Sequence, residues 1–339
     1  MKPWLLPALA GLAGLAVTLY AAEVERLRAT GGLPAEHVGL FREPAAFERL
    51  PDGDFVVFDR AGHTVYRVPA NGEAPAPLVN IGPESGHIIG PSGFAQAESQ
   101  LIVADGPGGR ERVQMFGADG NRQNGFTLPG IAPPRITFGT LTLSGVSSID
   151  WTGRTLLMSR PELGGLIAEL SPGGRPIRTM GRFRPTGHED DPDLHLSLNS
   201  GLPLADPTGG YYFVFHAGVP MFRKYDNDGQ LLFERHIEGP ELDATIQNLP
   251  TDWPERTGAI GLTLPVVLPT VRTAAVDPEG RLWVSLVVPY TYVYDQGGDK
   301  VRTVRFEAAG VVTPNSFFFD GGHQLSSHQA ATSSPSDSG

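Results

Sequence analysis

A chain of 339 residues with a formal net charge of −11 lacks the basic face that binding to nucleic-acid phosphates requires. With no cysteine it has no disulfide, no thiolate metal ligand, no cysteine nucleophile and no lipid-modified cysteine anchor. Glycine (43) and proline (31) are in excess, but 40% hydrophobic residues with 17 Phe, 8 Tyr and 4 Trp are enough to bury a core, which excludes wholesale disorder and leaves a turn-rich fold.

The first segment, residues 1–22, holds one charge, Lys2, followed by an uncharged run from Pro3 to Ala22 and then Glu23 and Glu25. A basic start, an apolar stretch and a closing Ala21-Ala22 form the pattern of a signal peptide, although cleavage after Ala22 puts Tyr20 where a small residue is preferred. Residues 3–22 are also long enough to anchor the chain in an inner membrane, and a buried N-terminal helix is the third reading. Signal and anchor both place the body outside the cytoplasm, periplasmic or secreted.

Beyond it, one pattern recurs. Alternating apolar residues lead into a tight turn at Asn71-Gly72, Asp119-Gly120, Gly173-Gly174, Asp228-Gly229 and Gly297-Gly298. Such pairs mark hairpins, because the turn needs positive φ. A second turn lies upstream of each β-rich run, as in Asp52-Gly53-Asp54 before Phe55, Thr208-Gly209-Gly210 before Tyr211 and Glu279-Gly280-Arg281 before Leu282. Each unit reads as four strands. In the fifth these are Ala274–Val276, Leu282–Val287, Thr291–Asp295 and Val301–Phe306. A sixth unit begins at Asn315–Phe319. Repeats of roughly 50 residues, each a four-stranded antiparallel sheet, predict an all-β propeller; a pair of β-sandwiches is the competing architecture.

The runs from Asp277 to Ser285 and from Lys224 to Gly229 resemble NHL-repeat or TolB-like six-bladed β-propellers of exported bacterial proteins. The resemblance spans about residues 40 to 325 and implies six blades over residues 23–328. It implies little about activity, since propellers of this type include enzymes, sensors and scaffolds. The chain departs from the pattern at its end. After His323 the sixth unit runs into a Ser/Ala/Thr-rich stretch, residues 329–339, expected to be a disordered tail. Closure of blade six is therefore expected from the N-terminal side, with His37–Phe41, and Val24–Arg28 beside it, as outer strands.

The first strand of each unit should line a central channel, with the residues just ahead of it at the mouth. Those positions hold Glu43, Ser92, Ser147, Asn199, Arg272 and Asn315. Two long blade-to-blade links, Gly181 to Asn199 and Glu238 to Thr270, lie on that same face and mark it as functional; packing on the blade tops is their plainer role. Candidate ligand-binding residues are Arg272, Asn199, Asn315, Ser92 and His87, with His216 as a further channel-mouth residue. A guanidinium at Arg272 could hold a carboxylate or phosphate, or else be spent on a structural ion pair. His188 and His195, in a loop with four nearby acids, are the candidate metal ligands for Zn or Ca, against the reading of a solvated acidic loop.

No catalytic motif is present. The expected function is a non-catalytic, monomeric, exported propeller binding a protein, peptide or glycan around its channel, with no cofactor and no nucleic acid. The alternative is a metal-assisted hydrolase or lyase drawing Glu43, Asn199 and Asn315 together at the channel mouth.

Overall fold

The computed structural model describes residues 24–28, 35–97, 100–107, 110–128, 134–138, 141–144, 148–257, 263–307, 314–320 and 323–327. The expected leader (1–22), the tail (329–339) and Ser147 lie outside them. Among the described residues no helix is long and apolar enough to cross a membrane.

The two turns per unit do what their glycines suggest. Gly53, Gly72, Gly120, Gly153, Gly174, Gly229, Gly280 and Gly298 all take positive φ, between 78° and 95°. Between these turns the apolar runs pair into four-stranded antiparallel sheets. Blade one is Pro44–Arg49, Phe55–Asp59, Thr64–Val68 and Ala76–Val79. Blade two is Gly93–Ala97, Gln100–Asp105, Arg112–Gly117 and Arg122–Thr127; blade three is Ile149–Trp151, Leu156–Met158, Ile167–Leu170 and Pro176–Met180. Blade four is Gly201–Ala205, Tyr211–Phe215, Met221–Tyr225 and Leu231–His236; blade five is Val271–Val276, Leu282–Leu286, Thr291–Tyr294 and Lys300–Glu307. The first strand of each lines the channel. The second and third strands are the buried ones, as in Leu282–Leu286 and Met221–Tyr225, where every residue is buried.

The core is divided into layers between neighbouring blades. Val56, Phe58 and Val65 of blade one meet Leu101, Val103 and Phe116 of blade two. Ile102 and Met115 of blade two meet Leu156 and Met158 of blade three, and Leu157 and Ile167 of blade three meet Phe213 and Phe215 of blade four. Tyr212 and Phe222 of blade four meet Val284 and Tyr294 of blade five. The central strands are apolar on both faces because each face has a neighbouring sheet to cover. Buried side chains also pin the channel strands. Asp59 accepts from Arg42 N and Glu43 N at 2.8 Å each, Asp105 from Ile89 N at 3.2 Å, and Ser159 Oγ from Gly201 N at 3.1 Å.

A second interlock joins the blades at their outer edge. The turn glycine between the third and fourth strands sits on the outer strand of the preceding blade: Gly120 on Leu78, Gly174 on Phe126, Gly229 on Met180 and Gly298 on Phe233. Gly72, the equivalent in blade one, has open space around it among the described residues. Among the described residues, the blade before it in the ring presents no outer strand.

That observation corrects the expected blade count. The described ring holds five four-stranded blades, not six. The sixth unit supplies a two-stranded sheet, Ser316–Asp320 paired with His323–Ser327, which lies between blade five and the Pro44–Arg49 strand of blade one. Nor does the N-terminal segment complete it. Val24–Arg28 pairs in parallel with Lys300–Glu307 and becomes a fifth strand of blade five. Leu27 joins Trp283, Val304, Phe306 and Phe317 in a cluster, while Arg26 with Glu307 (3.0 Å) and Arg302 with Glu25 (2.7 Å) add ion pairs. Both faces of the segment are thus satisfied on blade five. His37, expected in an outer strand, falls in the short helix Ala35–Val38 and places Nε2 3.3 Å from the Gly72 carbonyl.

The long links form a connected cap on one face. The Pro192–Leu198 helix, the Thr263–Pro265 strand and the Pro134–Phe138 strand of the link into blade three approach one another. Leu194, Leu198, Ala217 and Val267 bury a small core with Trp253 against it.

Candidate functional site: the central channel

Packing five sheets and a hairpin around an axis leaves a cavity of about 990 Å³ along it. Small residues on the channel strands, Ala45, Ala46, Ala95, Ala274 and Ala275, keep it open, and Phe94, Phe317, Phe318 and Phe319 supply apolar wall. The polar groups fall at two levels. Ser92, His216, Arg272 and Asn315 stand at the mouth with Arg42, Glu43 and Arg60; Glu48 and Asp150 lie deeper along their strands.

Arg272 is the second residue of the channel strand of blade five, just where the register slips between Val271 and Thr273. Its Nη1 donates to Asn315 Oδ1 at 3.3 Å. Partial burial lowers its pKa from the usual guanidinium value, and no charge opposes that shift. Among the described residues no carboxylate pairs with it. The ion pair expected as its plainer role is not formed. Arg60, at the same mouth, is neutralised by Glu43, with Nε 3.2 Å from Oε2 and a second, shorter contact from Nη2 to Oε1. Arg112 is likewise spent on Asp105 (2.9 Å and 2.6 Å).

The structure brings Arg272, Asn315 and Ser92 to one cavity, as the sequence suggests, with His216 beside them. His216 is buried, with Nδ1 3.4 Å from the Val271 carbonyl, and desolvation pulls its pKa down to about 4. Asn199 is elsewhere. It is fully buried behind the mouth, where Oδ1 accepts from Arg184 N (2.9 Å) and Nδ2 donates to the His195 and Arg184 carbonyls (3.1 and 3.3 Å). It caps the C-terminus of the Pro192–Leu198 helix rather than facing a ligand. His87 is exposed outside the cavity, and its carbonyl anchors Arg112 Nη2 (2.9 Å) and Gln114 Nε2 (2.7 Å). His195 bonds Thr186 Oγ1 through Nδ1 (2.7 Å), with Glu189 Oε1 4.0 Å away, and packs edge-on against Phe183. His188 does not join it in a ligand set: among the described residues no three His, Asp or Glu side chains are placed to share a metal ion. The hydrolase constellation of Glu43, Asn199 and Asn315 is not assembled either, since Glu43 is paired with Arg60 and Asn199 is buried behind the mouth.

Two channel residues escaped the sequence reading. Glu48, in blade one's channel strand, has Oε2 buried without a hydrogen-bond partner, and burial followed by the neighbouring Asp150 charge pushes its pKa up to about 8. Asp150, in blade three's, is raised to about 6 by burial, opposed by the Ala205 N–H that donates to Oδ2 at 2.7 Å. A lone acid inside a channel strand is a signal that aligning the units on their turns exposes; attention to the strand starts alone passes over it.

These shifts predict a pH profile of opposite arms. The fold holds the Glu48 proton more tightly than the unfolded chain does, so its contribution falls as pH rises from about 4.5 towards 8. His216 is held neutral, so stability falls as pH drops from 6.5 towards 4, where only the unfolded chain takes up the proton. Thermal melts should show that Glu48→Gln raises stability at pH 8, by on the order of 2–4 kcal/mol, and changes little at pH 4.5. Equal shifts at both pH values would contradict this assignment.

No family model matches the sequence, and comparison with curated proteins finds no match. Membership of an NHL family is accordingly not shown. Solved structures do resemble the chain. A streptogramin B lyase superposes with a TM-score of 0.51 at 12% identity, covering 84% of this chain and 76% of the lyase. The chain is a β-propeller. Virginiamycin B lyase from Staphylococcus aureus gives 0.49 at 13% identity over 84% and 76% of the two chains, and BamB from Moraxella catarrhalis 0.42 at 14% over 77% and 63%. At these identities the likeness extends to the fold alone.

Proposed function

We propose that this propeller is an exported, non-catalytic binding protein that takes the anionic group of a peptide or glycan ligand into the mouth of its channel, with Arg272 as the anchor and Asn315 and Ser92 beside it. The observation that supports the reading is the uncompensated guanidinium of Arg272. An exposed cation at the channel mouth, held by a single amide oxygen at 3.3 Å, is short of its natural partner, a carboxylate or phosphate that its fork can grip at two points. The cap of long links on one face and the mixed polar and aromatic wall fit a ligand site. Export is supported by the signal-like or anchor-like pattern of residues 1–22.

Titration calorimetry with N-acetyl-trialanine, whose only charge is its carboxylate, tests the reading. Arg272→Gln is expected to weaken binding by on the order of tenfold to a hundredfold, and Arg272→Lys to recover only part, because an ammonium cannot grip both oxygens. Equal affinity in the native protein and Arg272→Gln would refute the assignment.

A further inference from the structure

Deeper in the channel lies a second polar site, and its chemistry is opposite to that of the mouth. Blades one and five carry the same slip in their channel strands, between Pro44 and Ala46 and between Val271 and Thr273, which places Ala45 level with Arg272. Glu48 is three residues further in, or about 10 Å along the strand at roughly 3.3 Å per residue. Its Oε2 is buried without a partner, and it faces the cavity together with Asp150, whose charge it feels. Gln96 shares this end of the cavity. Two carboxyl groups are fewer ligands than a closed site for Zn or Ca uses, but they suit an ammonium group, which offers three hydrogens and one charge.

We infer that the channel is built for a zwitterion of the short-peptide class, with its carboxylate at Arg272 and its terminal ammonium group at Glu48 and Asp150. This rests on the mouth reading above and extends it. A separation of about 10 Å along the axis corresponds to three extended residues. The small alanines between the two levels leave room for backbone and short side chains, while Phe94 and Phe317 to Phe319 give apolar contact. The orphaned oxygen of Glu48 gains a donor when the ammonium group arrives, so the desolvation already present in the empty protein favours the bound state. The charged groups around the cavity are Arg42, Glu43, Arg60, Asp150, His216 and Arg272, and of these only Asp150 acts appreciably on Glu48. At pH 5 both acids are protonated and attraction for an ammonium group is lost; at pH 7.5 the pair carries negative charge.

Calorimetry with trialanine and N-acetyl-trialanine separates the two levels. At pH 7.5 the native protein should prefer trialanine by on the order of tenfold. The double variant Glu48→Gln/Asp150→Asn should bind both peptides alike, with the affinity the native protein shows for the acetylated one, which also demonstrates that the variant is folded. At pH 5 the native preference should vanish. Equal binding of both peptides by the native protein at pH 7.5, or a preference that survives in the double variant, overturns the inference while leaving the Arg272 site intact. Failure of the native protein to bind either peptide overturns both.

Discussion

Replacing Gly120 by alanine is expected to cost about 3 kcal/mol or more, and replacing Gly72 by alanine only about 1–2 kcal/mol. Both glycines adopt the left-handed conformation, with φ of 78° and 84°, so both substitutions carry the same backbone strain. They differ in surroundings. A Cβ on Gly120 would overlap the carbonyl oxygen of Leu78, which is backbone in the outer strand of blade one and cannot swing aside. A Cβ on Gly72 meets open space among the described residues. Denaturant titration of the two variants therefore measures the interblade lock directly, with backbone strain cancelled. Equal losses would show that Gly72 too has an outer strand behind it, and that the ring closes with a complete sixth blade.

The second large effect belongs to the buried pair Lys224 and Asp206. Their side chains are 7% and 1% exposed. Lys224 Nζ bonds Asp206 Oδ2 and the Gly209 carbonyl (3.0 Å), and lies 4.0 Å from the centre of the Tyr212 ring. Asp206 in turn accepts the N–H and hydroxyl of Thr208 at 2.8 and 2.7 Å, fixing the turn between the first two strands of blade four. Burial lowers the Lys224 pKa, with Asp206 acting against that shift. Lys224→Met leaves a carboxylate stranded in the core and is expected to cost about 3–5 kcal/mol. The double variant with Asp206→Asn should recover part of the loss, because the stranded charge is gone. A thermal melt showing the double variant worse than Lys224→Met would mean that the turn depends on the carboxylate rather than on the pair.

Much of the fold is written locally. Tight turns require glycine at fixed places, and alternating apolar runs between them require strands, so the units, their strands and the glycine of each turn between third and fourth strands can all be placed from sequence. What is not local is closure. Val24–Arg28 is a short strand with charged residues on both sides of Leu27, and nothing within it says which sheet edge it will join. Trp283, Phe306 and Glu307 of blade five decide that, and those contacts exist only after folding. A strand that local pattern allows to close a sixth blade is therefore found as the fifth strand of blade five.

The site divides in the same way. Arg272, Asn315 and Ser92 follow from the strand starts, because a propeller puts those positions at the channel mouth. Asn199 occupies the equivalent place in sequence but not in space. Asp191 and Pro192 open a helix, with Asp191 Oδ1 accepting from Leu194 N at 3.1 Å, and that helix runs up to the strand and takes Asn199 as its cap. The Asp-Pro pair was visible, but its consequence for the following strand depends on packing. Arg184 is another residue that sequence could not place. Buried over the ring of Phe215 at 4.3 Å and held by the carbonyls of Leu198 and Val219 at 2.9 and 2.7 Å, it ties the link before blade four to the turn between that blade's second and third strands. Burial, with Arg223 nearby, lowers its pKa to about 10.

The central claim is that the channel, not the outer face of the cap, holds the ligand, and a crystal structure of the protein with bound trialanine tests it most directly. The account predicts peptide density along the channel axis, with the carboxylate within hydrogen-bond distance of Arg272 and the amino end at Glu48 and Asp150. A peptide bound on the cap with the channel occupied only by water, or one lying in the channel with its carboxylate away from Arg272, would contradict it.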